Sequence, residues 1–121
     1  GLGDVYKRQG LDISVTEEGP RPEDRRIHDT LYRVVRESLT NVMQHARGAT
    51  AVAITFASTP RGVEVTLTDN GTEQSSPHAP GVGLEGLAKR VQQAGGTFNA
   101  GWSEDGWRVH ATLPLQGGDL Q

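Results

Sequence analysis

Glu37-Ser38-Leu39-Thr40-Asn41-Val42-Met43-Gln44-His45-Ala46 sets a carboxylate, a carboxamide and an imidazole at four-residue steps inside an otherwise apolar helical pattern. Side chains four residues apart stack on one face of a helix. At about 100° per residue, Glu37, Asn41 and His45 fall along one edge of the apolar arc made by Leu31, Val34, Val35, Leu39 and Val42. Such an edge lies where a buried stripe meets solvent, which is where a helix can line a cleft. Polar residues also border ordinary core stripes, so these three alone fit a plain amphipathic helix equally well.

Working outward, Asp24 supplies an N-cap for a helix running to about Ala46, and Gly48 supplies its stop. Before the helix, Leu11, Ile13 and Val15 alternate with Asp12, Ser14 and Thr16, the pattern of a short half-buried strand, and Gly19-Pro20-Arg21-Pro22 reads as a loop. After it, Val52, Ile54 and Phe56 recur at period two, Thr59-Pro60-Arg61-Gly62 is a turn signal, and Val63, Val65 and Leu67 alternate again. These two strands read as a hairpin. Thr72–Pro80 carries no apolar pattern and reads as a polar loop. Leu84, Leu87, Ala88, Val91 and Ala94 have helical spacing, and Gly95-Gly96 ends that helix. A last hairpin runs through Phe98, Ala100 and Trp102, turns at Glu104-Asp105-Gly106, and returns through Trp107, Val109, Ala111 and Leu113. The order β-α-β-β-loop-α-β-β predicts an α+β fold: a two-layer α/β sandwich with a mixed sheet and helices on one face. Gly1–Gln9 has no periodicity and no cap. We read 1–9 as an extension outside the fold, 10–116 as the domain and 117–121 as a tail.

A chain of 121 residues suits one domain, and 34% hydrophobic with 5% aromatic residues implies a lean aliphatic core. The net charge of −3 and the lack of a basic run argue against nucleic acid as a partner. The absence of cysteine excludes disulfides, thiolate metal sites and cysteine nucleophiles. No apolar run approaches the roughly 20 residues that span a bilayer, and no secretory signal is visible. The expectation is a soluble cytoplasmic domain without direct membrane contact, either free-standing or the cytoplasmic part of a membrane-anchored protein.

Two further stretches bear on the polar edge. Asp69-Asn70-Gly71 follows a strand, and Asn-Gly is itself a turn signal because it tolerates positive φ. A turn does not explain why no return strand follows. The alternative is an aspartate at a strand end that accepts a hydrogen bond from an exocyclic amine, with a glycine giving a flat ring room. Gly81-Val82-Gly83 precedes the second helix, where free N–H groups and the positive helix end suit a phosphate. A single G-x-G also fits a flexible lead into a helix. Gly86 in the first turns costs on the order of 1 kcal/mol of helix propensity, which close packing against backbone or ligand would explain.

Together, Glu-x-x-x-Asn-x-x-x-His-Ala on a helix, Asp-x-Gly after a strand and Gly-x-Gly-Leu before a helix resemble the N, G1 and G2 boxes of sensor histidine kinases. The resemblance covers about Gly10 to Leu115. It implies the ATP-binding catalytic domain and the histidine-kinase ATPase (Bergerat) fold shared with gyrase B, Hsp90 and MutL. Tyr32–Asn41, Gly81–Leu87, Gly95-Gly96-Thr97 and Val109–Leu115 look most like the subfamily paired with LuxR-type response regulators.

The resemblance implies roles position by position. Asn41 would ligate Mg²⁺, a hard cation that one amide oxygen, phosphates and waters suit. Glu37 would be catalytic, either polarising the incoming nucleophile or orienting a metal-bound water. Asp69 would bind the adenine amino group and Gly71 would clear the ring. Gly81 and Gly83, with Leu84, would present the phosphate loop, and Thr72–Pro80 would form a lid. His45 would face a phosphate or cap the site, and Thr112 would lie near the adenine. Three positions depart from the pattern: Glu73 replaces the second G1 glycine, Gln44 replaces a lysine, and Val82 stands where the subfamily has histidine.

Arg25-Arg26-Ile27-His28-Asp29 mimics the surroundings of a phospho-accepting histidine. We reject that reading, because His28 lies only nine residues before Glu37 on the same helix. The acceptor belongs on a dimerisation domain outside this chain, and His28 reads as a solvent-facing or capping residue. The implied cofactors are ATP and Mg²⁺. The implied partners are that dimerisation domain and, indirectly, a response regulator, with the isolated domain a monomer. Two other readings are an anti-sigma-factor serine kinase and a nucleotide-gated interaction module without transfer activity.

Overall fold

Alternating strands carry Val52, Ile54, Val63, Val65, Leu67, Val109, Ala111 and Leu113 to one face of a single sheet, and that face is where the core lies. The computed structural model describes residues 10–20, 22–45, 48–71, 82–103 and 106–115. Its elements are β1 (Asp12–Glu18), α1 (Arg25–His45), β2 (Ala51–Thr59), β3 (Gly62–Asp69), α2 (Val82–Gln93), β4 (Thr97–Ser103) and β5 (Gly106–Pro114). The five strands stand in the order β1-β2-β3-β5-β4. β1 runs parallel to β2, and every other pairing is antiparallel. This is the expected mixed sheet with both helices on one face.

The capping chemistry is also as read. The Arg26 amide donates to Asp24 Oδ1 at 2.8 Å, and Gly48, just past α1, has φ +69°. At the end of α2, Gly95 takes φ +85°; its amide donates to Gln92 O and the Gly96 amide to Val91 O, both at 2.9 Å. That bond pair is the Schellman closure, which needs a left-handed residue at Gly95. Pro60 and Arg61 turn the β2–β3 hairpin between the paired Thr59 and Gly62.

α1 lays Ile27, Leu31, Val34, Val35, Leu39 and Val42 on the sheet, and α2 adds Leu84, Leu87 and Val91. β1 departs from the half-buried strand expected: Val15 is 56% exposed, because neither helix reaches over that edge of the sheet. Gly86 departs as well. A Cβ there would meet no protein atom within 4 Å, so packing against backbone does not account for it.

Candidate functional site

Period two along β3 puts Asp69 on the same face as Val63, Val65 and Leu67. A carboxylate therefore takes the last inward position of an otherwise aliphatic strand, only 4% exposed. Its Oδ1 accepts the Gly71 amide at 2.7 Å. Its Oδ2 is buried and has no hydrogen-bond partner. Burial pushes the Asp69 carboxyl above its ordinary value, while the backbone amides of Gly71 and Trp107 pull the other way. A buried acceptor left open costs about 1–3 kcal/mol, which a ligand donor would recover.

The neighbours of Asp69 hold it in place. Asn70 does not form the turn that Asn-Gly suggested, for neither it nor Gly71 has positive φ. Instead its carboxamide oxygen accepts the amides of Thr50 and Ala51 at 2.9 and 3.0 Å, and its NH₂ donates to Thr50 Oγ1 at 3.0 Å. The end of β3 is thereby pinned to the start of β2. On the other side Gly106 takes φ +129°, and a Cβ there would stand 2.1 Å from the Asp69 carbonyl oxygen. Only glycine permits β5 to approach so closely.

α1 presents the second part of the site. The groove beside Tyr32, Val35 and Leu39 opens toward β1 and β2. Asn41 lies about 180° around the helix axis from Tyr32. Asn41 and Glu37, both half-buried, thus line the opposite edge, on the side of α2. Asn41 offers a neutral, hard amide oxygen, which suits a shared Mg²⁺ more than a softer metal. Among the described residues no group of three or more His, Asp or Glu could hold a metal unaided. Any cation at Asn41 would therefore share it with ligand oxygens and water.

The other expected site residues fall as follows. Gly71 is buried beside Asp69. Gly83 lies in the first turn of α2, and Leu84 is buried in the core. The side chain of His45, and Gly81, Glu73, His78 and the segment 72–80 expected to form a lid, lie outside the described residues, as do 1–9 and 117–121.

Thr112 is not beside Asp69. It pairs with Glu64, five residues along β3, on the open face of the sheet, where its hydroxyl lies 2.7 Å from that of Thr97. The odd register offset between the two puts the Thr112 side chain on the face of the sheet opposite Asp69. The β5 residue opposite Asp69 is Trp107, which the sequence reading took only as one more apolar strand residue. Its indole Nε1 is buried without a partner, as is the hydroxyl of Ser38 on α1. His110 sits on the open face, 2.9 Å from Glu64, and the His28 ring meets the Pro22 carbonyl on the exposed first turn of α1.

With this geometry in hand, comparison with known proteins is specific. Residues 26–117 match the family described as histidine kinase-, DNA gyrase B- and HSP90-like ATPase. The chain is 34% identical over 115 residues to the sensor histidine kinase YxjM of Bacillus subtilis (strain 168), covering 92% of this chain and 28% of that protein. It is 33% identical over 113 residues to the methanol utilization control sensor protein MoxY of Paracoccus denitrificans, covering 87% and 25%. The chain thus spans about a quarter of the length of each. Among solved structures, the ATP-binding domain of PrrB from Mycobacterium tuberculosis superimposes with TM-score 0.66 at 26% identity, covering 95% of this chain and 89% of that one. The histidine kinase AdeS of Acinetobacter baumannii shares the fold, with TM-score 0.72 at 13% identity over 94% and 59%.

Proposed function

We propose that this chain, which belongs to the histidine kinase-, DNA gyrase B- and HSP90-like ATPase family, is the catalytic domain of a two-component sensor histidine kinase. In this role it binds Mg-ATP and sets the γ-phosphoryl for transfer to a histidine on a dimerisation domain outside this sequence. The observation that carries the reading is Asp69, buried on an apolar face with Oδ1 tied to Gly71 and Oδ2 open. That oxygen is shaped to accept one N–H from an uncharged planar group such as the adenine amine.

The proposed division of labour follows from the chemistry of each residue. Asp69 orients the base, and the buried Gly71 leaves its ring room. Asn41 holds Mg²⁺ through its amide oxygen, and the ion supplies charge neutralisation on the phosphates when bound. Gly83, in the first turn of α2, and Gly81, which precedes that helix in the sequence, offer backbone N–H groups to those phosphates. Glu37, one turn before Asn41, acts on the incoming nucleophile or on a metal-bound water. Phosphoryl transfer needs mainly positioning and charge stabilisation, so a domain without a nucleophile of its own suffices. The proposed domain is 10–116, working on the cytoplasmic side with a LuxR-type response regulator downstream. None of the described helices is long and apolar enough to cross a membrane.

The test has two stages. Calorimetry with a non-hydrolysable ATP analogue, with and without Mg²⁺, should give saturable binding that Mg²⁺ strengthens; a folded sample that binds nothing sinks the reading. Mixing the domain with its cognate dimerisation domain and γ-labelled ATP should then give phosphohistidine. Binding without any transfer would leave a nucleotide-binding module only.

A further inference from the structure

Among the described residues, three buried side-chain polar atoms lack a hydrogen-bond partner: Ser38 Oγ, Asp69 Oδ2 and Trp107 Nε1. Two of the three belong to residues that face each other. The β3–β5 ladder pairs Thr68 with Arg108, so its next step sets Trp107 opposite Asp69. Trp107 shares the inward face of β5 with Val109, Ala111 and Leu113, and it packs against the core. Directly opposed residues on one face bring their Cβ atoms to about 4.5–5.5 Å. The Trp107 backbone amide faces the Asp69 carboxylate as well.

The indole is also held in place. Trp102 lies across the β4–β5 pair from it, with ring centroids 5.3 Å apart and planes at 69°, an edge-to-face contact. Gly106 next to it lets β5 close onto the Asp69 backbone. A buried tryptophan N–H ordinarily finds an acceptor. Here a buried donor without an acceptor belongs to the residue across the ladder from a buried acceptor without a donor. The edge of adenine presents the complement: the N6 amine as donor, flanked by the ring nitrogens N1 and N7 as acceptors.

We infer that Trp107 contacts the bound base, its indole N–H donating to a ring nitrogen while Asp69 Oδ2 accepts from the neighbouring amine. This rests on the nucleotide-site reading of Asp69 and extends it to a residue that carried no expected role.

ADP titrations of the wild type and Trp107→Phe test it, together with ADP analogues in which carbon replaces N1 or N7. Phenylalanine keeps an aromatic ring and removes only the donor. The variant should bind ADP about 3- to 10-fold more weakly, the loss of one hydrogen bond. With the analogue lacking the accepting nitrogen, wild type and variant should bind alike. A structural role for the indole would weaken all three ligands equally, and that result overturns the inference, as does an unchanged affinity for ADP. Should Trp107→Phe fail to fold, Trp102→Phe leaves Trp107 as the sole indole, and its emission should change on saturation with ADP. No change there also overturns the inference. A wild-type chain that binds no ADP removes the nucleotide reading itself, whereas ADP binding to which Trp107 is indifferent removes only this extension of it.

Discussion

The two edges of α1 carry opposite chemistry. Toward β1 and β2 the edge is mainly apolar: Tyr32, Val35 and Leu39, with His28 and Asp29 at its start, line a groove of about 540 Å³ together with Val15 and Phe56. Toward α2 the edge carries Glu37 and Asn41, and beyond it β3 ends on Asp69. The groove is the more conspicuous feature, with Val15 56% and Tyr32 54% exposed. Neither Asp69 Oδ2 nor Trp107 Nε1, two of the buried atoms without partners, lines it. Open apolar surface is common on small domains, whereas buried polar atoms without partners are rare and costly. The end of β3 beyond the polar edge is therefore where the fold sacrifices stability, in keeping with the site proposed there.

The largest effect should come from Asp69. With Oδ1 committed to Gly71, Asp69→Asn puts an NH₂ where Oδ2 stood, donor facing donor. Nucleotide affinity should fall roughly 10- to 100-fold or more, the range for a hydrogen bond to a charged group. Apo stability should move the other way at neutral pH. Burial raises the folded-state value of Asp69 above its unfolded one, so the native state holds the extra proton in the window between them. Wild-type stability thus falls as pH rises through that window, starting near the ordinary carboxylate range. Asp69→Asn removes this component, so its advantage in thermal melts should be absent below the window and full above it. An asparagine variant that binds ADP normally would break the contrast between the two edges.

Asn41→Ala comes next. About tenfold weaker binding is expected in Mg²⁺ and little change in its absence, because one hard ligand is lost while the base contact stays. An equal loss in both conditions would assign Asn41 to the base or phosphates instead. Gly106→Ala should be felt mainly in stability, by about 1–3 kcal/mol in denaturant melts, since the methyl meets the Asp69 carbonyl and the positive φ is strained. Affinity should follow only several-fold, to the extent that Asp69 is displaced.

How legible these features were in the sequence depends on range. α1 and the strand pairs were readable because 3.6- and 2-residue periodicities are local, and so were Asp24 and Gly95, whose cap bonds reach at most five residues. The inward aim of Asp69 was legible too, as the next step after Val63, Val65 and Leu67. Trp107 was not, because its significance comes from a ladder partner 38 residues away, and no local pattern sets that register. The separation of Thr112 from Asp69 was hidden for the same reason: one odd offset in register moves a side chain through the sheet. Asn70 misled differently. Its local signal was a turn, but its carboxamide serves a contact 19 and 20 residues distant. Family resemblance supplied the order of the boxes, and only the pairing of β3 with β5 separated Trp107 from Thr112.

The smallest effect belongs to the apolar edge. Val15→Thr and Tyr32→Ser remove exposed apolar surface without touching Asp69 or the far edge of α1. Stability should stay within about 0.5 kcal/mol, as for surface substitutions generally, and nucleotide affinity should not move. A change in ADP affinity from either exchange would mean that the two edges are coupled through the helix. The polar edge would then not be a self-contained site, and its Mg²⁺ and base contacts would have to be measured against a helix free to shift.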